Sequence, residues 1–191
     1  MMKDFLKLTA LILVLGWLSD QTAHAENSVP NICEREMAAA AAAEVVPLGV
    51  LYAVGLTETG RKGKLNPYAL NIEGRSVFAS SERQAIMEFR KARASGKKLI
   101  DLGCMQINHY YHGEKFRSVA EMLKPRENVR YAARFLRQLK VREGSWTMAV
   151  ARYHAGPDND LAQKRYICAV IQNLAATDFG SWTPESRKFC R

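Results

Sequence analysis

Pro47-Leu48-Gly49-Val50-Leu51-Tyr52-Ala53-Val54-Gly55-Leu56-Thr57-Glu58-Thr59-Gly60 is an apolar run that ends on a single carboxylate. Pro47 suits the first helical position, where no backbone N–H is needed. Gly60 suits a left-handed helix end. A helix between them places Leu51, Val54 and Glu58 at i, i+3 and i+7, on one side. Glu58 then continues a core-facing stripe, where burial favours the neutral acid and the negative end of the helix dipole acts in the same direction. A carboxylic acid still protonated near neutral pH is what a general acid needs. The competing reading is an exposed last-turn residue, because glutamate is rarely buried. The rest of the chain has to decide between them.

Upstream, Cys33 to Glu44 reads as a helix through Met37 and the run Ala38–Ala43, whose helix propensity is high. Downstream, the basic loop Arg61-Lys62-Gly63-Lys64-Leu65 leads to Leu70/Ile72 and Val77, two short strands with Glu73-Gly74 as their turn. Ser81 with Gln84, and Ser118 with Glu121, read as capping boxes. The first opens a helix with Ile86 and Phe89 inward, ending near Gly96. The second opens a short helix that Pro125 stops. Asp101–Asn108 is apolar and interrupted by glycine, with an amide in its middle, and makes no good amphipathic helix at its start. Asn128 to Glu143 is strongly helical, with Ala132, Leu136 and Leu139 inward and Gly144 as its stop. Arg126, Arg130, Arg134 and Arg137 line its other side and read as a solvated face. Trp146 to Tyr153 is a short helix, and Asp158 or Asp160 caps a last one running through Ile167, Val170 and Leu174. The expected fold class is α+β, mainly α, with about seven helices and one small β-hairpin. No repeat is present, and no linker splits the domain.

Residues 1–25 carry the marks of a secretory signal: Lys3 and Lys7, the apolar run Leu8 to Leu18, and the small-residue site Ala23-His24-Ala25. An uncleaved anchor is disfavoured because that run is too short to span a bilayer. The mature protein is expected to begin near Glu26, with no stable membrane anchor, and to be soluble in an exported compartment. Lys3 and Lys7 balance Asp4 and Asp20, so the net charge of +9 belongs to the remainder. Such a balance suggests an anionic partner: cell wall, membrane surface or nucleic acid. Nucleic acid is disfavoured, since no zinc-finger or aromatic RNA-binding motif accompanies the charge. The four cysteines, Cys33, Cys104, Cys168 and Cys190, suit two disulfides in an oxidising compartment, and three pairings are open. We favour Cys33–Cys104 and Cys168–Cys190. The second would tie the tail, residues 179–191, back onto the last helix, leaving 26–178 as the main domain.

Three separated stretches then stand out: Glu58-Thr59-Gly60, Gly103-Cys104-Met105-Gln106-Ile107-Asn108, and Ala151-Arg152-Tyr153-His154-Ala155-Gly156. In this order and with these separations they resemble the lytic transglycosylases of the goose-type lysozyme superfamily, above all the small single-domain members. The likeness runs from about Cys33 to Leu174. Glu58 occupies the family's Glu-Ser-Gly type element, with Thr59 keeping the hydroxyl. Gly103-Cys104-Met105-Gln106 matches its Gly-Leu-Met-Gln element. Arg152-Tyr153-His154-Ala155-Gly156 matches its Ala-Tyr-Asn-Ala-Gly element, with His154 in place of asparagine. Pro67, Ala69 and Asn71 match its Pro-x-Ala-x-Ser element, with Asn71 in place of serine.

The resemblance implies a lysozyme-like fold and, as substrate, the glycan strands of peptidoglycan. It implies Glu58 as the catalytic acid, Tyr153 near that carboxyl, and Gln106, Met105, Asn71, Tyr68 and His154 as substrate contacts. One carboxylate serves as acid and then as base, and the product is a 1,6-anhydro sugar. No cofactor and no metal is implied. Periplasmic location follows, and some relatives serve secretion or flagellar assemblies. A second carboxylate would instead make a hydrolase; Glu73, in a turn, and Asp101, at a strand end, are the candidates. Three other classes stay open. A Cys–His peptidase would use Cys104 and His154. A metal site would use His109, His112 and Glu114. A non-catalytic wall- or complex-binding module would use the basic surface.

Overall fold

The computed structural model describes residues 31–60, 63–156 and 158–191. The expected signal segment, Arg61-Lys62 of the basic loop and Pro157 lie outside the described residues. No described helix is long and apolar enough to cross a membrane.

The chain opens with α1 (Ile32–Glu44) and α2 (Leu48–Thr59), then a β1–β2 hairpin (Ala69–Ile72 and Arg75–Phe78) and α3 (Glu82–Ala94). Two short strands follow, β3 (Ile100–Leu102) and β4 (Ile107–Asn108), then α4 (His109–His112), a 3₁₀ turn (Gly113–Lys115) and α5 (Val119–Leu123). The long helix α6 (Pro125–Glu143) leads to α7 (Trp146–His154), α8 (Asp160–Ala176) and α9 (Pro184–Phe189). The described residues thus hold nine α-helices rather than about seven; the additions are the single turn α4 and the tail helix α9. The sheet is larger than a hairpin as well. Its four strands are all antiparallel, in the order β2-β1-β3-β4. β3 and β4 are three and two residues long, too short to show a period of two in the sequence.

Helix α2 is apolar on nearly every side, and the fold buries it accordingly. It packs between α1 and α8, while α6 packs on α1 and α7. Leu51 and Val54 are fully buried. At Gly55 an added Cβ would come within 2.4 Å of Met37 on α1, so this glycine lets two helices approach. Gly60 does not take the left-handed conformation expected of it, having φ −60°. A side chain there is forbidden for another reason: its Cβ would lie 2.2 Å from the Leu56 carbonyl oxygen.

Several local readings change with tertiary structure. Ser81 and Ser118 do cap their helices through the N–H groups of Gln84 and Glu121. The return bonds of Gln84 and Glu121 go one residue further back, to the N–H groups of Ser80 and Arg117. Pro125 opens α6 as well as ending α5. Asn159, rather than Asp158 or Asp160, caps α8 by accepting from Ala162 N–H. The arginine stripe of α6 is not merely solvated. Arg130 and Arg137 lie 3.3 and 3.8 Å from the carboxylate of Glu44, which is buried at the end of α1. A buried carboxylate needs such partners.

Both disulfides are present, Cys33–Cys104 and Cys168–Cys190, and no described cysteine is free. The first ties α1 to the turn between β3 and β4. The second holds α9 against α8.

Candidate active site

The turn Gly103–Gln106 is fixed before any ligand enters. Asn128 of α6 is fully buried, and its amide serves three backbone groups. Its Oδ1 accepts from Met105 N–H at 2.9 Å, and its Nδ2 donates to the carbonyls of Leu102 at 2.8 Å and Met122 at 3.0 Å. Gly103 has φ +80°, and a Cβ there would lie 2.6 Å from that amide nitrogen. Only glycine satisfies both demands. Thr59, buried at the end of α2, donates its hydroxyl toward the Cys104 carbonyl at 3.2 Å. Together with the Cys33–Cys104 bridge, these contacts hold the turn beside the end of α2.

That end carries Glu58, whose side chain keeps 15% of its surface exposed, at a cleft of about 430 Å³. Tyr166 on α8 donates its hydroxyl to Glu58 Oε1 at 2.5 Å. His154, at the end of α7, lies flat on the Tyr166 ring, 4.3 Å between centroids and 5° between planes. Its Nδ1 is 3.9 Å from the same carboxyl oxygen. Burial pushes the Glu58 carboxyl up to about 8; the Tyr166 hydroxyl pulls the other way, and the like charge of Asp101 adds to the rise. Burial first, and then the facing Glu58, hold the Tyr166 hydroxyl well above its ordinary value, so it remains a donor.

The opposite wall is the sheet. Strand register puts Asn71, Asp101 and Asn108 side by side across β1, β3 and β4, and all three line the cleft. Asp101 accepts from Asn108 Nδ2 at 2.7 Å. Burial raises the Asp101 carboxyl and that bond lowers it, with burial the larger effect. Asn71 Oδ1 accepts from Gly74 N–H at 2.7 Å, closing the hairpin turn.

The structure brings Glu58, Asn71, Gln106, Tyr153 and His154 to one cleft and leaves Met105 and Tyr68 out of its lining. The Met105 side chain is fully buried, with its sulfur facing Gly55. It belongs to the core, because the pinned turn aims it between α1 and α2. Its backbone carbonyl is what reaches the site, accepting the Tyr153 hydroxyl at 2.7 Å. Tyr153 therefore braces the turn, and Tyr166 is the phenol bonded to Glu58. Tyr68 is half-buried and packs on the hydrophobic core. Gln106, at φ +45°, donates its amide nitrogen to the carbonyls of Ala69 at 3.1 Å and Gly103 at 3.0 Å. Its amide oxygen is the atom it can offer to a ligand.

Glu73 lines one end of the cleft, but its carboxylate is bound to Lys97 Nζ at 2.9 Å and Lys98 N–H at 3.0 Å. The cysteine peptidase is excluded, since Cys104 is bridged and has no thiol. The three proposed metal ligands diverge. His109 packs on Phe89, His112 Nδ1 meets the Tyr131 hydroxyl at 2.9 Å, and Glu114 pairs with Lys115. Among the described residues no group of three such side chains could hold a metal ion.

The sequence profile of the transglycosylase SLT domain matches residues 36–171, well over half of the chain. The chain belongs to the transglycosylase SLT family. Neither a curated protein nor a solved structure matches it. Members of this family are lytic transglycosylases that act on peptidoglycan in the cell envelope, and the matched span contains Glu58, the pinned turn and His154. Tyr166 falls inside that span too, though it belongs to none of the three motif stretches. Its signal was the inward face of α8, where Gln163, Tyr166, Ile167 and Val170 are all buried at helical spacing. Asn128 gave no signal, because a helical asparagine ordinarily faces water. The tail from residue 172 onward, with α9, lies outside the matched span.

Proposed function

We propose that this protein is an exported, periplasmic lytic transglycosylase that cuts the bond from N-acetylmuramic acid to N-acetylglucosamine in peptidoglycan. The observation that carries the reading is a carboxyl group at the cleft, 15% exposed and bonded by the Tyr166 hydroxyl, whose value burial pushes up to about 8. Glu58 gives that proton to the glycosidic oxygen as the C1–O bond breaks, and the N-acetylglucosamine leaves as an alcohol. Positive charge builds at C1 of the muramic residue. Its C6 hydroxyl attacks C1, and its proton passes to the carboxylate of Glu58. The acid is thereby regenerated, no water is consumed, and a 1,6-anhydro ring results. Tyr166 supports the first half, since its hydroxyl bond stabilises the ionised form that proton donation leaves. Asn71 and the Gln106 amide oxygen stand where they can bond sugar hydroxyl and acetamido groups.

One observation favours a second reading. Asp101 lies in the same cleft as Glu58, as the second carboxylate of a hydrolase must. Digestion of purified sacculi, followed by mass spectrometry of the fragments, separates the two. Anhydro ends support the transglycosylase; reducing ends with one added water support the hydrolase. Equal lysis by wild type and Glu58→Gln would overturn both.

A further inference from the structure

His154 places a titratable ring at the cleft that holds Glu58. The ring is wedged between two groups of the reacting centre. One face lies on Tyr166, whose hydroxyl bonds Glu58, and Nδ1 is 3.9 Å from the oxygen that accepts that bond. It is also 46% exposed at the cleft, so protons reach it from solvent. We infer that His154 is a positioning residue that acts through Glu58 and makes activity fall on the acid side, because a protonated ring beside the carboxyl opposes the positive charge that develops at C1 and weakens the carboxylate as the base for the C6 hydroxyl. The inference rests on the catalytic reading of Glu58 given above.

An imidazolium places a positive charge next to a site where further positive charge must develop at C1. It also pairs with the Glu58 carboxylate once that forms, and a paired carboxylate is a weaker base for the C6 hydroxyl proton. A neutral imidazole does neither.

The surroundings favour the neutral ring down to the acid range. Burial lowers the His154 value from its ordinary 6.5. Glu58 on α2 faces it, but keeps its own proton over the range where His154 titrates. Tyr166 on α8 faces it as a neutral phenol. Across the cleft, Asp101 on β3 is bonded to Asn108, and His112 on α4 is bonded to Tyr131. Tyr111 on α4 and Tyr153 on α7 line the same cleft without charge. On the ring's own helix, Arg152 is turned to Glu143 at 3.4 Å and to the Gly156 carbonyl at 3.4 Å.

The test is lysis of purified sacculi between pH 5 and pH 9 by wild type, His154→Asn, His154→Gln and Glu58→Gln, with His154 titrated in the wild-type protein by imidazole NMR. Wild type should lose about tenfold per pH unit below the ring's midpoint, as a single titration requires. In both His154 variants the acid limb should be absent, so the ratio of the rate at pH 5 to that at pH 7 should rise by the factor that the NMR midpoint sets, whatever their absolute activity. The alkaline fall set by Glu58 should remain. The same pH 5 to pH 7 ratio in wild type and both variants would overturn the inference. So would an NMR midpoint that does not coincide with the acid limb. Those failures leave Glu58 untouched as long as Glu58→Gln is inactive; undiminished lysis by Glu58→Gln would instead remove the catalytic reading itself, and this inference with it.

Discussion

Two glutamates stand at one cleft and behave in opposite ways. Glu58 closes an apolar helix, is bonded by a neutral hydroxyl, and holds its proton up to about 8. Glu73 sits in the hairpin turn between β1 and β2, exposed and bonded first to Lys97 and then to Lys98 N–H, which hold it below the ordinary carboxylate range. The helical wall leaves only 15% of its carboxyl side chain exposed. The sheet end is wet and has two lysines. Residue type is the same, so environment alone separates an acid that can donate near neutral pH from an ion-paired structural anchor.

The sharpest way to break this comparison is Glu58→Gln. We expect lysis to fall at least about 100-fold, the lower range for losing a general acid. Stability should move the other way. Between pH 4.5 and about 8 the unfolded chain has this glutamate ionised while the folded chain holds it protonated, so wild-type stability declines as pH rises through that window. Glutamine removes that decline. The variant should therefore be more stable by on the order of 3 kcal/mol at pH 7, and by less at pH 5, in urea unfolding at the two pH values. A gain that does not grow with pH would mean Glu58 is not buried as described.

Asn128→Ala asks whether the helical wall depends on its support from α6. Leaving Met105 N–H and two carbonyls without partners should cost about 2–4 kcal/mol. Activity should drop with the loss of order in Gly103–Gln106, read as a lower thermal midpoint together with slower lysis. Tyr166→Phe sharpens the comparison at a single atom. The hydroxyl lowers the Glu58 value, so removing it should move the alkaline limb of the pH–rate profile to higher pH. The rate at pH 7 should fall severalfold, within the lower part of the range for an assisting group. Glu73→Gln should have the smallest effect. Its bond to Lys97 is an exposed pair. Its contribution exists above pH 4.5 and vanishes as acid protonates it, so wild type and variant should converge in thermal melts at low pH.

Much of this was legible. The helix Leu48–Thr59 could be read because its apolar run is long, bounded by Pro47 and Gly60, and ends on one charge. The hairpin could be read from its Glu73-Gly74 turn, and the three motif stretches from their order. The strands β3 and β4 were not legible, since they exist only because β1 offers β3 an edge, and β3 in turn offers one to β4. Met105 was misplaced because its motif gives residue types and not side-chain directions, and the buried Asn128 amide turns that side chain inward. Tyr166 escaped because it shares its helix face with ordinary core residues.

By itself the sequence determined the helical skeleton, the cysteine complement and the placement of Glu58 at the end of an apolar helix, because those depend on local periodicity and on residue type. Which phenol reaches that acid, which amide braces the turn, which cysteines meet and which of two glutamates stays protonated were decided only when distant segments packed together. Hydrogen-bond partners and local dielectric are properties of neighbours in space, and Glu58 and Tyr166 are 108 residues apart in the chain.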